Sequence, residues 1–153
     1  MRSVSLLRDA LVRQRESEMK KEFLNPSNLP NWQHSFSQVV IIKSGAVRTI
    51  YVAGQVSVDQ EKNLIGAGDL KAQAARTFKN LEIALAAAGA TTADVVKVNI
   101  YVKRYKPVDA TIISEAFRRA FPRQHLPAST WLGIETLAGE GFLIQVDAIA
   151  VVE

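Results

Sequence analysis

The chain has 153 residues, 48% of them hydrophobic and 22% charged, which is typical of one globular domain with a core of its own. It contains no cysteine, so disulfides, thiolate metal ligands and a cysteine nucleophile are all excluded. Of the formal net charge of +4, residues 1–21 account for +3, and the +1 left on residues 22–153 argues against nucleic acid as a partner.

Residues 1–21 differ from the rest of the chain. Their few apolar side chains can line one side of a short helix, but Arg8 and Asp9 interrupt any signal-peptide core. We interpret this segment as a flexible extension, with a docking helix or a targeting segment as alternatives, and assign one domain to residues 22–153. No apolar run reaches the roughly 18 residues of a membrane span, so a soluble, cytoplasmic protein with no membrane partner is expected.

The first strands are predicted between residues 37 and 58, after a loop rich in asparagine and proline. Residues 37–43 form one strand, a turn follows at Ser44-Gly45-Ala46, and residues 49–52 return beside it. The second strand runs into residues 53–58, where Gly54 indicates a bulge or a close approach of two backbones.

A helix is predicted from Leu70 to Ala88, because apolar residues recur there at helical spacing. Asp69 is expected to cap its N-terminus, and Gly89 to end it in a left-handed conformation. Residues 95–103 then alternate as a strand. Its even-numbered side chains are expected to lie under the helix: Val96, Val98, Ile100 and Val102.

A second helix starts near Pro107 and ends before Pro122, and strands at residues 129–134 and 142–151 close the chain around a glycine-containing turn. The order β-β-β-α-β-α-β-β predicts an α+β fold, with one mixed sheet of about six strands and two helices on one face. The other sheet face would present side chains too mixed for a core: Tyr101, Gln145, Asp147 and Ile149. Such a face usually meets another subunit, so a homo-oligomer is expected.

Several short motifs in this order resemble the Rid family (YjgF-type reactive intermediate deaminases, some labelled endoribonuclease L-PSP). They are Gly54-Gln55, Ala86-Ala87-Ala88-Gly89, Asp94-Val95-Val96-Lys97, Tyr101-Val102-Lys103, Glu115-Ala116-Phe117 and Ala148-Ile149-Ala150-Val151. The resemblance covers about residues 23–153 and implies a chorismate-mutase-like homotrimer with pockets between subunits. It also implies cofactor-free hydrolysis of enamines and imines, such as 2-aminoacrylate, to keto acids and ammonia.

The resemblance places Ser129 where family deaminases carry the arginine that binds the substrate carboxylate, in the step Pro127-Ala128-Ser129-Thr130. A hydroxyl cannot replace the charged, bidentate fork of a guanidinium, although Lys103 or Arg104 of a neighbouring subunit is a possible substitute. Four further positions depart from the family pattern, which indicates a rebuilt pocket. They are Gln145 for a glutamate, Trp131 for a cysteine, Phe36 for a tyrosine and Ala53 for a serine.

On this basis the predicted substrate-binding residues are Phe36, Gly54, Gln55, Ser129, Thr130 and Trp131. The catalytic residue is left unknown, with Gln145 and Asp147 as candidates: Gln145 can hold a water but cannot act as a base, and Asp147 supplies a carboxylate on the same strand face. Structural roles stay open for several of these residues. Gly54 can serve the backbone alone, Trp131 can fill a core or interface, and the two hydroxyls can satisfy local backbone groups.

His34 and His125 lie in predicted loops, each without a carboxylate at ligand spacing, so no metal site is predicted. The first functional hypothesis is a Rid-family homotrimer that binds a small metabolite between subunits and acts as an enamine or imine deaminase, a hydrolase of C–N bonds. The alternatives are a binding or scavenging protein without catalysis, and an endoribonuclease or translation inhibitor.

Overall fold

One mixed sheet organises the chain in the computed structural model, which describes residue 12 and residues 19–153. Most of the predicted extension, 1–21, therefore lies outside the described residues. The six strands are β1 (Lys20–Leu24), β2 (Val39–Ser44), β3 (Val47–Gln55), β4 (Val95–Lys103), β5 (Ala128–Ile134) and β6 (Ile144–Val152). The two α-helices are α1 (Leu70–Ala87) and α2 (Ala110–Ala120), each near a short 3₁₀ turn, Thr92–Asp94 after α1 and Pro107–Asp109 before α2.

The strands lie in the order β1-β2-β3-β6-β4-β5. All neighbours are antiparallel except β4 and β5, which are parallel and joined through α2. The last two strands of the chain are therefore not neighbours, because β4 lies between them. The predicted mixed six-stranded sheet with two helices is confirmed, and so is the predicted order of elements along the chain.

The identity of the three strands before α1 differs from the prediction. Residues 53–58 do not form a strand of their own: β3 continues to Gln55 through a register shift, and beyond it Val58 makes only an isolated bridge. Three strands do precede α1, but the one that replaces residues 53–58 is β1, at the start of the described chain. It crosses the boundary predicted between residues 21 and 22. Its charged sequence gives no strand signal, but pairing with β2 supplies it with backbone partners and a Glu22–Lys43 ion pair at 2.6 Å.

Helix α1 begins and ends as predicted. Asp69 accepts a hydrogen bond from the Ala72 amide at 3.0 Å, and Gly89 has a φ of +70°. The structure adds one contact: the Arg48 guanidinium donates to the carbonyl oxygens of Ala88 at 2.6 Å and Gly89 at 3.4 Å. A cation at this end of a helix satisfies carbonyl groups that have no partner within the helix.

The core lies between the helices and one face of the sheet. Its sheet residues include Val39, Ile41, Ile50, Val52, Val98, Ile100, Val102, Ile144, Val146, Ala148 and Ala150. One predicted core residue is wrong: Val96 is 49% exposed, whereas Val95 is buried. A register shift between Val95 and Lys97 interrupts the alternation, so the odd-numbered residue turns inward at the start of β4.

We call the opposite side of the sheet the open face. Strand register and alternation place on it Val40, Ile42, Thr49, Tyr51, Ala53, Lys97, Asn99, Tyr101, Thr130, Leu132, Gln145, Asp147, Ile149 and Val151. These side chains are half-buried or exposed, and they include the four residues predicted to face away from the core. None of the helices in the described part of the chain is long and apolar enough to cross a bilayer.

Candidate functional site

A polar patch lies on the open face where β6, β4 and β5 run side by side. Asn99 of β4 pairs with Asp147 on one side and with Thr130 on the other. Its amide Nδ2 donates to Asp147 Oδ1 at 2.8 Å, and Lys97 Nζ donates to Thr130 Oγ1 at 2.6 Å. The patch thus holds a carboxylate and an ammonium group on one sheet surface.

Tyr101 lies beside the Asp147 carboxylate, opposite Gln145 of the neighbouring strand. Burial, then the negative charge of Asp147 and a hydrogen bond to its carboxylate, raise the pKa of Tyr101 above its usual 10.0. The phenol is therefore protonated at neutral pH and acts as a hydrogen-bond donor. Within this pair, the group that can accept a proton is Asp147.

Gly54 adjoins this patch at the bulge in β3. A Cβ atom on residue 54 would lie only 2.4 Å from Nε2 of Gln145 and 2.6 Å from its Cδ. A side chain at residue 54 and the present position of Gln145 exclude one another, so the glycine serves a close approach rather than an unusual φ. The structure thereby brings together two residues predicted for the site.

Gln55, in contrast, does not face this patch. It pairs with Val146 on the helix side of the sheet and is buried. Its Nε2 donates to Gln38 Oε1 at 2.8 Å and to the Ala53 carbonyl oxygen at 3.0 Å. The amide that was predicted to bind substrate is thus engaged within the chain.

The three predicted residues of β5 are divided between the two faces. Thr130 lies on the open face, whereas Ser129 and Trp131 pair with Val98 and Ile100, whose side chains point toward the helices. Because β5 is an edge strand, Ser129 and Trp131 remain exposed there. Strand β6 lies two strand spacings away, about 10 Å, so Ser129 and Trp131 are separated from Gln145 and Asp147 within one chain.

Phe36 lies in the long loop before β2, at a distance along the chain from the other site residues. It is 43% exposed and stacks on Trp32 with ring centroids 6.4 Å apart, while Lys62 Nζ sits 4.3 Å from the Trp32 ring centroid. His34 in the same loop and His125 before β5 are both exposed. Among the described residues, no three His, Cys, Asp or Glu side chains are grouped so that they could hold a metal ion.

Residues 27–152 match the protein-family model described as endoribonuclease L-PSP. The chain belongs to this family. A RutC family protein of Pyrococcus abyssi is 32% identical over 132 residues, which cover 86% of this chain and 98% of that protein. A rat protein named 2-iminobutanoate/2-iminopropanoate deaminase is 29% identical over 135 residues, covering 88% of this chain and 93% of that one.

Solved structures agree with the membership in the L-PSP family. A Thermotoga maritima protein superposes with a TM-score of 0.75 at 28% identity, covering 88% of this chain and 99% of its own. RidA of a Psychrobacter species gives 0.72 at 26% identity, with 86% of this chain and 99% of that chain covered. The predicted Rid-type family and fold are therefore confirmed.

The L-PSP fold also reveals site residues that the sequence did not single out. Lys97 and Asn99 join the patch through their positions on β4, and cross-strand register is the signal that identifies them. Of the two cations considered as substitutes for the family arginine, Arg104 forms an ion pair with Glu135 at 3.2 Å. Lys97, in contrast, lies beside the Ser129–Thr130 step of its own chain, where its Nζ donates to Thr130 Oγ1.

Proposed function

We propose that this protein assembles as a homotrimer, binds a small metabolite in pockets completed between subunits, and hydrolyses an imine or enamine there. One observation carries the proposal: Gly54, Gln145 and Asp147 lie together on the open face, whereas Ser129 and Trp131 lie on the opposite side of an exposed edge strand. A small ligand cannot touch both groups in one chain. The edge strand of a second copy can bring its Ser129 and Trp131 to the open face of the first.

Hydrolysis of an imine in such a pocket requires a positioned water and a group that transfers a proton. A water adds to the carbon of the C=N bond, a proton moves from that water to the nitrogen, and the tetrahedral adduct releases ammonia and leaves a carbonyl group. Gln145 can orient the water, and Asp147 is the carboxylate that can take up and return the proton. Tyr101 can donate a hydrogen bond to Asp147 and hold that carboxylate in place.

The names of relatives support this reaction class, since the rat protein and others are called 2-iminobutanoate/2-iminopropanoate deaminases. Ser129 nevertheless lacks a positive charge for a substrate carboxylate. Removal of one member of a buried charge pair typically costs about 2–5 kcal/mol. We therefore expect weak binding and slow turnover of 2-iminopropanoate by the natural chain.

The test is ammonia release from freshly generated 2-iminopropanoate by the natural protein, Ser129→Arg and Asp147→Asn. Ser129→Arg should lower KM by about tenfold or more, because it restores a charged, forked donor. Asp147→Asn should lower kcat by about a hundredfold or more with little change in KM, because it removes the group that transfers the proton. Full activity in Asp147→Asn would show that this carboxylate does not transfer the proton.

The neutral residue at position 129 also favours a second candidate, a binding or scavenging protein without catalysis. Isothermal titration with 2-oxobutanoate, an unreactive analogue of the carbonyl product, separates the two. Binding without any ammonia release would support scavenging. Cleavage of RNA by the full-length protein would instead support the endoribonuclease alternative.

A further inference from the structure

We propose that Gln38 and Gln55 form a positioning pair that fixes the Gly54 peptide beside Gln145 and ties it to the loop that carries Phe36. The proposal rests on the proposed function, because it concerns the same site. It assigns Gln55 a role through Gly54 rather than through contact with a ligand.

The pair is buried and its hydrogen bonds are specific. Gln38 and Gln55 are 2% and 3% exposed. Both side-chain bonds of Gln55 come from Nε2, one to Gln38 Oε1 at 2.8 Å and one to the Ala53 carbonyl at 3.0 Å. Gln38 Nε2 in turn donates to the Pro30 carbonyl at 3.0 Å, so the chain of bonds runs from the loop before β2 into the bulge of β3.

The bulge explains why such a pair is needed. The register between β3 and β6 shifts between Val52 and Gln55, which removes Ala53 and Gly54 from the regular ladder. Buried backbone groups need partners, and the pair supplies both for Ala53. The Ala53 amide donates to the Gln38 carbonyl at 2.9 Å, and the Ala53 carbonyl accepts from Gln55.

This arrangement sets the direction of the next amide. The described peptides are all trans, so the N–H of Gly54 points opposite to the Ala53 carbonyl and therefore away from the pair. Gln145 packs directly over Gly54. Turning the Ala53 carbonyl would rotate the Gly54 N–H and displace the Gln145 amide with it.

The pair also connects two segments that were predicted for the site from different parts of the sequence. Gln38 lies two residues after Phe36, and its backbone amide donates to Asn25 Oδ1 at 3.1 Å at the other end of the loop. Gln55 follows Gly54 directly. One side-chain hydrogen bond thus joins the Phe36 loop to the Gly54 bulge.

A matched pair of variants tests the idea. Gln38→Met removes the acceptor for Gln55, whereas Gln38→Glu keeps a carbonyl oxygen in the same place whether or not it is protonated. In Gln38→Met, we expect the ¹⁵N–¹H resonance of Gly54 to move and kcat for 2-iminopropanoate to fall about tenfold with little change in KM. Gln38→Glu should restore the natural Gly54 resonance and bring kcat to within about threefold of the natural value.

Ile113→Ala is the control, because it opens a cavity in the core on α2 without touching the pair. It should lower stability and leave the Gly54 resonance and kcat unchanged. Equal changes in Ile113→Ala and Gln38→Met would overturn the proposal, as would a Gln38→Met protein with the natural Gly54 resonance and kcat.

Two further outcomes are informative. If Gln38→Met does not fold, Gln55→Met removes both hydrogen bonds that Gln55 Nε2 donates, to Gln38 Oε1 and to the Ala53 carbonyl. An unmoved Gly54 resonance in that variant would contradict the proposal. If the natural protein neither binds nor converts the imine, the proposed function fails. The Gly54 resonance then still decides whether the pair positions this peptide.

Discussion

Residue 54 has no room for a side chain while Gln145 stays in place. In Gly54→Ala, the new Cβ would meet Gln145 Nε2 at 2.4 Å. The atoms in its way are the far end of a flexible side chain, so we expect a loss of only about 1 kcal/mol in unfolding free energy, the low end for overpacking. The displaced Gln145 amide should lower turnover by about tenfold.

A double-mutant cycle with Gln145→Ala separates these two effects. Unfolding in urea should show that Gly54→Ala costs nothing once the Gln145 side chain is absent. If the cost stays the same in the double variant, the collision with Gln145 is not its cause. The cycle requires no assay of activity.

The raised pKa of Tyr101 predicts how the stability of the fold depends on pH. Its pKa is raised above 10.0 in the folded chain, so above that pH the unfolded state loses this proton before the folded state does. Stability should therefore fall as the pH rises past 10.0. Tyr101→Phe should show a shallower fall than the natural chain in thermal unfolding between pH 9 and 11, and identical slopes would contradict the shift.

Individual site residues were only partly predictable from the sequence. Gly54 and Gln145 meet as predicted members of one site, and alternation along β6 placed Asp147 on the open face. Gln55 was predicted to bind substrate from its place in the Gly54-Gln55 family motif, but the bulge turns it to the helix side. A bulge adds one residue to one strand and reverses the alternation beyond it, and periodicity alone does not reveal that.

At the scale of an element, the C-terminus of α1 depends on a residue far from it in sequence. Arg48 of β3 donates to the carbonyls of Ala88 and Gly89. Arg48→Met should lower the unfolding free energy by about 1–2 kcal/mol, because charge-assisted bonds to free helix carbonyls are lost. Lys79→Met removes only an exposed ion pair with Glu82 on the same helix and should change the value by less than about 0.5 kcal/mol.

Elements with strong local signals were predicted well, and elements that depend on tertiary pairing were not. Asp69, Gly89 and the apolar spacing between them define α1 without any reference to the rest of the fold. Strand β1 has no such pattern and exists because β2 offers it a register partner. The inward turn of Val95 likewise follows from a shift against β6 that only the assembled sheet contains.

At the scale of the whole molecule, the open face is the surface through which we propose that copies of the chain associate. It carries exposed apolar side chains, among them Tyr51, Leu132 and Val151, together with the polar patch around Asp147. Exposed apolar side chains of this kind favour contact with another protein surface. A mixed face also explains why the sequence predicted an oligomer here, although periodicity could not specify which strands of two copies meet.

Tyr51→Lys tests that association directly. Tyr51 is 42% exposed in the single chain, so a lysine there should leave the fold intact while placing a charge in the contact between copies. Light scattering should give three times 16.8 kDa for the natural protein and 16.8 kDa for Tyr51→Lys. Val108→Lys is the matched control, since Val108 is 75% exposed beside α2, and it should keep the natural mass. A natural protein of 16.8 kDa, or a trimeric Tyr51→Lys, would refute assembly through the open face.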